Sequence, residues 1–124
     1  MGHMSIDIET RSSVDIKKAG LYKYVQSGDF QVLLFAYSFD GQQPVCIDLA
    51  NGEQIPLDVQ IALFSLEYVK HAYNAAFEWY CLSKHFQVKA PEKWLSQWRC
   101  ICVIDDIAII AHLWIACLCI SRFA

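Results

Sequence analysis

Three acidic side chains have types and spacing suited to binding divalent metal ions. Asp7 and Glu9 stand two residues apart in an alternating segment, and Glu78 comes later, in the stretch N-A-A-F-E. If Met4 to Glu9 form a strand, Asp7 and Glu9 leave the same face, roughly 6–7 Å apart along the backbone. Carboxylates at this separation can flank two divalent ions about 3.5–4 Å apart, an arrangement that hydrolyses phosphodiesters. The pattern therefore predicts an Mg²⁺ or Mn²⁺ site that contains Asp7, Glu9 and Glu78.

Helical spacing also groups Asn74, Phe77 and Glu78. These residues stand at i, i+3 and i+4, which are neighbours on the surface of a helix. Asn74 is suited to cap the helix N-terminus and to hydrogen-bond a ligand, Phe77 to pack under a base, and Glu78 to reach a metal. Each element also has a plainer interpretation. Asp7 and Glu9 can be residues of an exposed strand face, and Asn74 to Glu78 can be the start of a capped helix with a solvated Glu.

The elements that must position these residues follow from the periodicity of the chain. Apolar and polar residues alternate from Met4 to Glu9, and the run Phe30 to Phe39 is rich in Val, Phe and Tyr, which predicts two strands. Asp40-Gly41 then predicts a hairpin turn. The other predicted elements are a helical turn at Leu21 to Val25, a returning strand at Gln43 to Leu49, a helix from Pro56 to Leu66, a strand from Glu67 to Tyr73, a helix from Asn74 to Phe86, and a short strand or connector from Trp94 to Cys100. This order predicts an α/β fold with a mixed sheet.

Smaller signals accompany these elements. Ser12 or Ser13 is available as a helix cap. His71 is expected on a strand edge, with a structural role. Met1 to His3 look like a tag remnant in front of a native Met4, so they are left out of the predicted fold.

Composition and charge limit the class of protein. A chain of 124 residues predicts one domain, and 56% apolar with 19% charged residues predicts a folded one. The net charge of −3 excludes general electrostatic binding of nucleic acid, so any such contact has to be local. The N-terminus has no secretory leader pattern. The six cysteines are expected as free thiols of a cytoplasmic protein, because the two C-x-C pairs lie in an apolar setting that is unlike a zinc site.

Residues 100–124 differ in character from the rest of the chain. From Cys100 to Ile120, 18 of 21 residues are apolar. A membrane span needs roughly 20 apolar residues, whereas the run Ile107 to Ile120 is shorter and contains His112. We expect a helical tail that does not enter a membrane and that can support self-association. A tail anchor, and a non-native continuation caused by a frame change after Arg99, remain open as alternatives.

The two acidic elements, in this order and context, resemble a known family. S-I-D-I-E-T followed by N-A-A-F-E-W resembles the first two motifs of the DEDD superfamily of 3′–5′ exonucleases. The greatest likeness is to the proofreading domain of bacteriophage-type family A DNA polymerases, and F-Q-V-L-L-F-A-Y-S-F-D-G is similar to the hairpin of that group. The resemblance covers a partial domain, residues 4–99. It implies a ribonuclease-H-like fold and two-metal hydrolysis at a DNA 3′ end.

The resemblance also implies roles for single residues. Asp7 would bridge two Mg²⁺ or Mn²⁺ ions, Glu9 would bind the ion on the side of the nucleophile, and Glu78 stands where many relatives have Asp. The residues implied to contact the substrate are Thr10, Asn74 and Phe77.

One part of the family pattern is missing from the sequence. The third motif, Y-x-x-x-D or H-x-x-x-x-D, supplies the fourth carboxylate and the general base, and neither pattern occurs after Glu78. Asp105 and Asp106 lack a Tyr or His at the required offset. Because loss of a general base costs about 10²–10⁴ in rate, we expect a truncated exonuclease module with weak or no activity. Its partners would be a DNA 3′ end and the missing remainder of a polymerase. The alternative is a non-catalytic prophage relic that binds nucleic acid or a partner.

Overall fold

The computed structural model describes residues 2–89 and 91–100, and these contain a mixed sheet of five strands. The strands are β1 Gly2–Arg11, β2 Gln31–Phe39, β3 Val45–Asp48, β4 Tyr68–Ala72 and β5 Trp98–Cys100. They are arranged in the order β3-β2-β1-β4-β5. The pairs β1–β2 and β2–β3 are antiparallel, whereas β1–β4 and β4–β5 are parallel. This confirms the predicted mixed α/β fold and is consistent with part of a ribonuclease-H-like domain.

Five α-helices are present in the described residues: α1 Ile16–Ala19, α2 Leu21–Gln26, α3 Leu57–Phe64, α4 Ala75–His85 and α5 Glu92–Leu95. The predictions for α2, α3 and α4 are confirmed to within a few residues. The short helices α1 and α5 were not predicted. The N-cap of α1 is Asp15, which accepts a hydrogen bond from the backbone N of Lys17 at 2.9 Å. The prediction that Ser12 or Ser13 caps a helix was therefore wrong.

The turn between β2 and β3 has the geometry that its sequence predicts. Asp40 and Gly41 both have positive φ, 46° and 82°, and the N of Gln42 donates to the O of Phe39 at 2.8 Å. Asp40 also pairs with His3 through two hydrogen bonds, one of them from the N of His3 to the Asp40 carboxylate at 2.8 Å. Gly2 and His3, which were expected to be a tag remnant outside the fold, lie within β1.

The main apolar cluster lies on one face of the sheet, whereas Leu34 and Ala36 of β2 are buried on the other. Alternation in β1 buries Met4, Ile6 and Ile8, while Asp7 is half-buried and Glu9 is exposed. Members of the same core cluster from the helices are Val59 and Leu63 of α3 and Cys81 and Leu82 of α4. Both helices therefore pack on the apolar face of β1, and Asp7 and Glu9 belong to the opposite face by alternation.

Two further predictions concern single side chains. His71 is buried in β4, between β1 and β5, so its predicted place on a strand edge is wrong. Cys81 is a buried free thiol, as predicted. The predictions for the apolar tail fall almost entirely outside the described residues. None of the helices in the described residues combines the length and the apolar character of a membrane span.

The segment that carries α1 and α2 is closed at its base by a cluster of hydrogen bonds. The backbone N of Ser13 donates to both carboxylate oxygens of Asp29, at 3.2 and 3.1 Å. The hydroxyls of Ser27 and Ser13 donate to the same carboxylate. The bonds from Ser27 and Ser13 hold the pKa of Asp29 below its usual value. Because both ends of the segment meet at Ser13 and Asp29, α2 keeps a defined place beside β1.

Candidate active site

Glu78 is a buried acid in the first turn of α4. The chain leaves β4 at Ala72 and enters α4 at Asn74, whose backbone O accepts hydrogen bonds from the N of Phe77 at 2.9 Å and the N of Glu78 at 3.2 Å. The Glu78 side chain is only 5% exposed. Its Oε2 atom is buried and has no hydrogen-bond partner. A buried polar atom without a partner is costly, by about 1–3 kcal/mol, so this oxygen is a candidate ligand atom.

The environment of Glu78 favours its neutral form. Burial, and to a smaller extent the negative charge of Asp7, raise the pKa of Glu78 to about 8. Burial likewise raises the pKa of Cys81, one turn along the same helix, to about 12, and the charge of Glu78 adds to this effect. The site thus holds two acids close enough to repel each other. A cation between them would relieve that repulsion and lower the pKa of Glu78.

Strand pairing explains why Asp7 can approach α4. The register between β1 and β4 ends at the pair Ser5 and His71. Asp7 lies beyond that pair, where β4 has ended and the chain has turned into α4, a helix that contacts β1. The carboxylates of Asp7 and Glu78 are therefore brought into electrostatic contact at the end of the sheet.

Glu9 lies next to an irregularity in the sheet. The pairing of β1 with β2 shifts between Glu9 and Thr10, whose partners are Leu34 and Val32. Such bulges redirect side chains and are common beside active sites. Within residues 2–89 and 91–100, no group of three or more His, Cys, Asp or Glu side chains is placed to hold a metal ion. The structure brings the two acids Asp7 and Glu78 together. The participation of Glu9 as a third ligand stays a prediction.

Two of the three predicted substrate residues are joined by a tyrosine that the sequence analysis did not single out. The hydroxyls of Thr10 and Tyr24 are 2.8 Å apart and share a hydrogen bond. The ring of Tyr24 also lies 6.4 Å from the ring of Phe77 and 5.8 Å from that of Phe30. Tyr24 stands in α2, and no sequence pattern linked this short helix to Thr10 or Phe77. A tertiary contact, which has no signature at the level of spacing, was needed to find it.

Asn74 occupies the predicted N-cap position of α4 but does not make the predicted bond. Its side chain forms no capping hydrogen bond, and the residue is exposed. The prediction was right about where the helix begins and wrong about how its first N–H groups are satisfied. An exposed side chain at this position, beside Phe77 and Glu78, can reach a ligand.

Comparison with known proteins gives one relative for the chain. A DNA polymerase of Bacillus phage SP02 is 50% identical over 103 residues, which are 83% of this chain and 15% of that polymerase. No protein-family model and no solved structure matches the chain. The chain thus spans 15% of the length of the curated relative that it matches. An identity of one in two over most of the chain shows that this protein is related to a segment of a phage DNA polymerase.

Proposed function

We propose that this chain is a 3′–5′ exonuclease module that binds a DNA 3′ end together with Mg²⁺ or Mn²⁺. The observation that carries the proposal is the unpartnered, buried Oε2 of Glu78 beside the carboxylate of Asp7. The similarity of the chain to a segment of a phage DNA polymerase makes DNA the natural substrate class.

The residues present are compatible with a divalent ion. Mg²⁺ prefers hard oxygen ligands and keeps several waters, so two or three carboxylates are enough to hold it. Asp7 and Glu78 are the two acids that the fold brings together, and Glu9 follows Asp7 at i+2 on β1. When bound, such ions lower the pKa of an attacking water and stabilise charge on the leaving 3′-oxygen.

The other residues of the site would bind and orient the DNA. The half-buried ring of Phe77 offers a stacking surface for a base. The exposed amide of Asn74 can donate to a phosphate or a sugar oxygen. Thr10, at the end of β1, lies one residue beyond Glu9 and is held by Tyr24. These residues would place a terminal nucleotide next to the acids, as hydrolysis from a 3′ end requires.

A non-catalytic DNA-binding module is the second candidate function. The sequence after Glu78 contains neither Y-x-x-x-D nor H-x-x-x-x-D, so no residue is assigned as general base. A module with this deficit would keep its affinity for a 3′ end and lose most of its rate. We therefore propose weak or no hydrolysis by this chain alone.

Both candidates are tested by one titration with an end-labelled single-stranded oligonucleotide in Mg²⁺ or Mn²⁺. Binding and cleavage are measured for the wild type, Asp7→Asn, Glu78→Gln and the control Glu92→Gln, an exposed acid at the start of α5. We expect metal-dependent binding that falls at least ten-fold in Asp7→Asn and Glu78→Gln and is unchanged in Glu92→Gln. Binding without cleavage would identify the non-catalytic module. Activity that survives Asp7→Asn would exclude this site.

A further inference from the structure

Tyr24 connects two residues that the proposed function assigns to the DNA substrate. Its hydroxyl is hydrogen-bonded to Thr10 at 2.8 Å, and its ring contacts that of Phe77 at 6.4 Å. We infer that Tyr24 is a positioning residue, which holds the Thr10 hydroxyl and the Phe77 ring in one fixed arrangement around the terminal nucleotide. This inference rests on the proposed function and extends it to a residue of α2.

Thr10 needs an anchor because of where it stands in the sheet. It follows the shift in pairing between Glu9 and Thr10, so the regular ladder does not by itself fix the direction of its side chain. The bond to Tyr24 supplies that direction. A hydroxyl carries one donor and two acceptor positions, so each of the two hydroxyls can still bind a ligand atom after they have bonded to each other.

The ring of Tyr24 completes an aromatic surface. It meets Phe30 edge-on, at 73°, and Phe77 at a tilt of 43°. All three residues are half-buried, so part of each ring is accessible. Base stacking on such rings is tolerant of sequence, because every base has a π-face. The chemistry of this surface therefore suits an unpaired terminal nucleotide of any sequence.

Other contacts hold α2 in place independently of the Tyr24 hydroxyl. Gln26 donates to the hydroxyl of Tyr80 in α4 at 3.4 Å, and the ring of Tyr22 lies 6.3 Å from the ring of Tyr80. The hydrogen bonds between Ser13 and Asp29 close the base of the segment. Tyr24→Phe therefore removes one hydroxyl and leaves the helix and the ring where they are.

The test uses a single-stranded oligonucleotide with 2-aminopurine at its 3′ end, in Mg²⁺ and Mn²⁺. Affinity and the emission of the terminal base are measured for the wild type, Tyr24→Phe, Thr10→Val and the double variant. We expect each single variant to bind about three- to ten-fold more weakly, the effect of one net hydrogen bond, and to change the stacking signal. The double variant should show no further loss, because the two changes remove the same bond. Tyr22→Phe, which removes a phenol that is 66% exposed on the same helix, is the matched control and should bind as the wild type does.

Several results would overturn the inference. Wild-type affinity and emission in Tyr24→Phe would show that the hydroxyl positions nothing. Losses that add in the double variant would show that Tyr24 does not act through Thr10. An equal loss in Tyr22→Phe would indicate general destabilisation. If the wild type itself does not bind the oligonucleotide, the proposed function fails and the inference fails with it, an outcome that is distinct from wild-type binding that Tyr24→Phe leaves intact.

Discussion

Each end of β1 adjoins a buried ionisable side chain, but the two side chains differ in their hydrogen-bond partners. At the Gly2 end, the fully buried Lys70 donates from Nζ to the O of Ser65 at 2.5 Å, and burial lowers its pKa to about 8. At the Thr10 end, burial raises the pKa of Glu78 to about 8, and its Oε2 has no partner. The ammonium of Lys70 has a hydrogen-bond partner within the fold, whereas one carboxylate oxygen of Glu78 has none.

This difference separates Lys70, a structural group, from Glu78, the group for which we propose a function. A buried ammonium with a carbonyl partner is explained by packing and hydrogen bonding in the protein itself. A buried carboxyl with an unpartnered oxygen and a second acid nearby reduces stability, and the backbone hydrogen bonds from Asn74 and Glu78 offset only part of that cost, because the pKa of Glu78 is still raised. Such an arrangement is typical of a site whose missing partner is a ligand. The following predictions, from the largest expected effect to the smallest, test this distinction.

The pH dependence of stability should identify Glu78 as the costly group. Below about pH 4.5, Glu78 is protonated in both the folded and the unfolded chain. Between its unfolded pKa of 4.5 and its folded pKa of about 8, only the unfolded chain releases the proton, so the free energy of unfolding falls by up to about 1.4 kcal/mol per pH unit. Above pH 8 this contribution is constant. Denaturant titrations from pH 5 to 8 should show a smaller slope for Glu78→Gln than for the wild type or Glu92→Gln. Equal slopes in all three would contradict the assigned pKa.

Divalent ions should stabilise the fold through the same residue. At a concentration 100 times Kd, Mg²⁺ or Mn²⁺ should raise the free energy of unfolding by about 2.7 kcal/mol. At one fixed ion concentration, the gain should be larger at pH 8.5 than at pH 6.5, because the proton on Glu78 competes with the ion and raises its apparent Kd at the lower pH. Thermal unfolding with added ion, against NaCl of equal ionic strength, measures this gain. A gain that persists in Glu78→Gln would place the ion elsewhere.

The Lys70 end should respond in the opposite direction. Between the folded pKa of about 8 and the unfolded value of 10.5, only the unfolded chain keeps the proton, so stability rises with pH in this window. Lys70→Met should abolish that rise. At pH 7 we expect the free energy of unfolding of Lys70→Met to exceed that of the wild type by an amount on the order of 1 kcal/mol. The variant no longer buries an ammonium, and this outweighs the loss of one hydrogen bond. Denaturant titrations check both effects, with Lys84→Met, an exposed lysine of α4, as the control. A large loss of stability in Lys70→Met would show that Lys70 contributes more to the fold than its one hydrogen bond to Ser65.

The smallest effect concerns the first residues of β1. The ring nitrogens of His3 and His71 lie 2.9 Å apart, and the rings stack at 5.1 Å. His3→Ala removes this contact but keeps the backbone bonds to Asp40. We expect a loss of about 0.5–1 kcal/mol, measured by thermal unfolding. An unchanged melting temperature would mean that the backbone of His3, and not its ring, supports the strand.

Much of the fold was predictable because it depends on local signals. The alternation from Met4 to Glu9 predicted β1 and its apolar face, Asp40-Gly41 predicted the turn with two positive φ angles, and Asn74 marked the start of α4. Periodicity and turn chemistry act over a few residues, so spacing alone reveals them. The proximity of Asp7 to Glu78 has no local signature, since the two acids are distant in sequence; the metal-binding residue types suggested it, and the resemblance to a family supported it.

Two of the three misses have a common physical cause. The position of His71 depends on β5 pairing outside β4, the place of Tyr24 depends on α2 packing beside α4, and the exposed side chain of Asn74 reflects a choice between capping and solvent. The first two are decided by contacts between distant segments, whereas the third is a local choice that the residue type alone does not settle. The sequence contains no pattern for such contacts at the level of single residues.

The closure at Ser13 and Asp29 has a consequence for local motion. Helix α1 contributes no buried residue and α2 contributes only Val25, so little apolar surface holds this segment down. With its base tied by hydrogen bonds, the segment can lift away and return as one unit while β1 and β2 stay paired. Amide hydrogens of α1 and α2 should therefore exchange with solvent together, and well before those of the sheet. The contacts of Tyr24 with Thr10 and Phe77 would open in the same event, so the two faces of the proposed DNA site would separate each time this segment lifts.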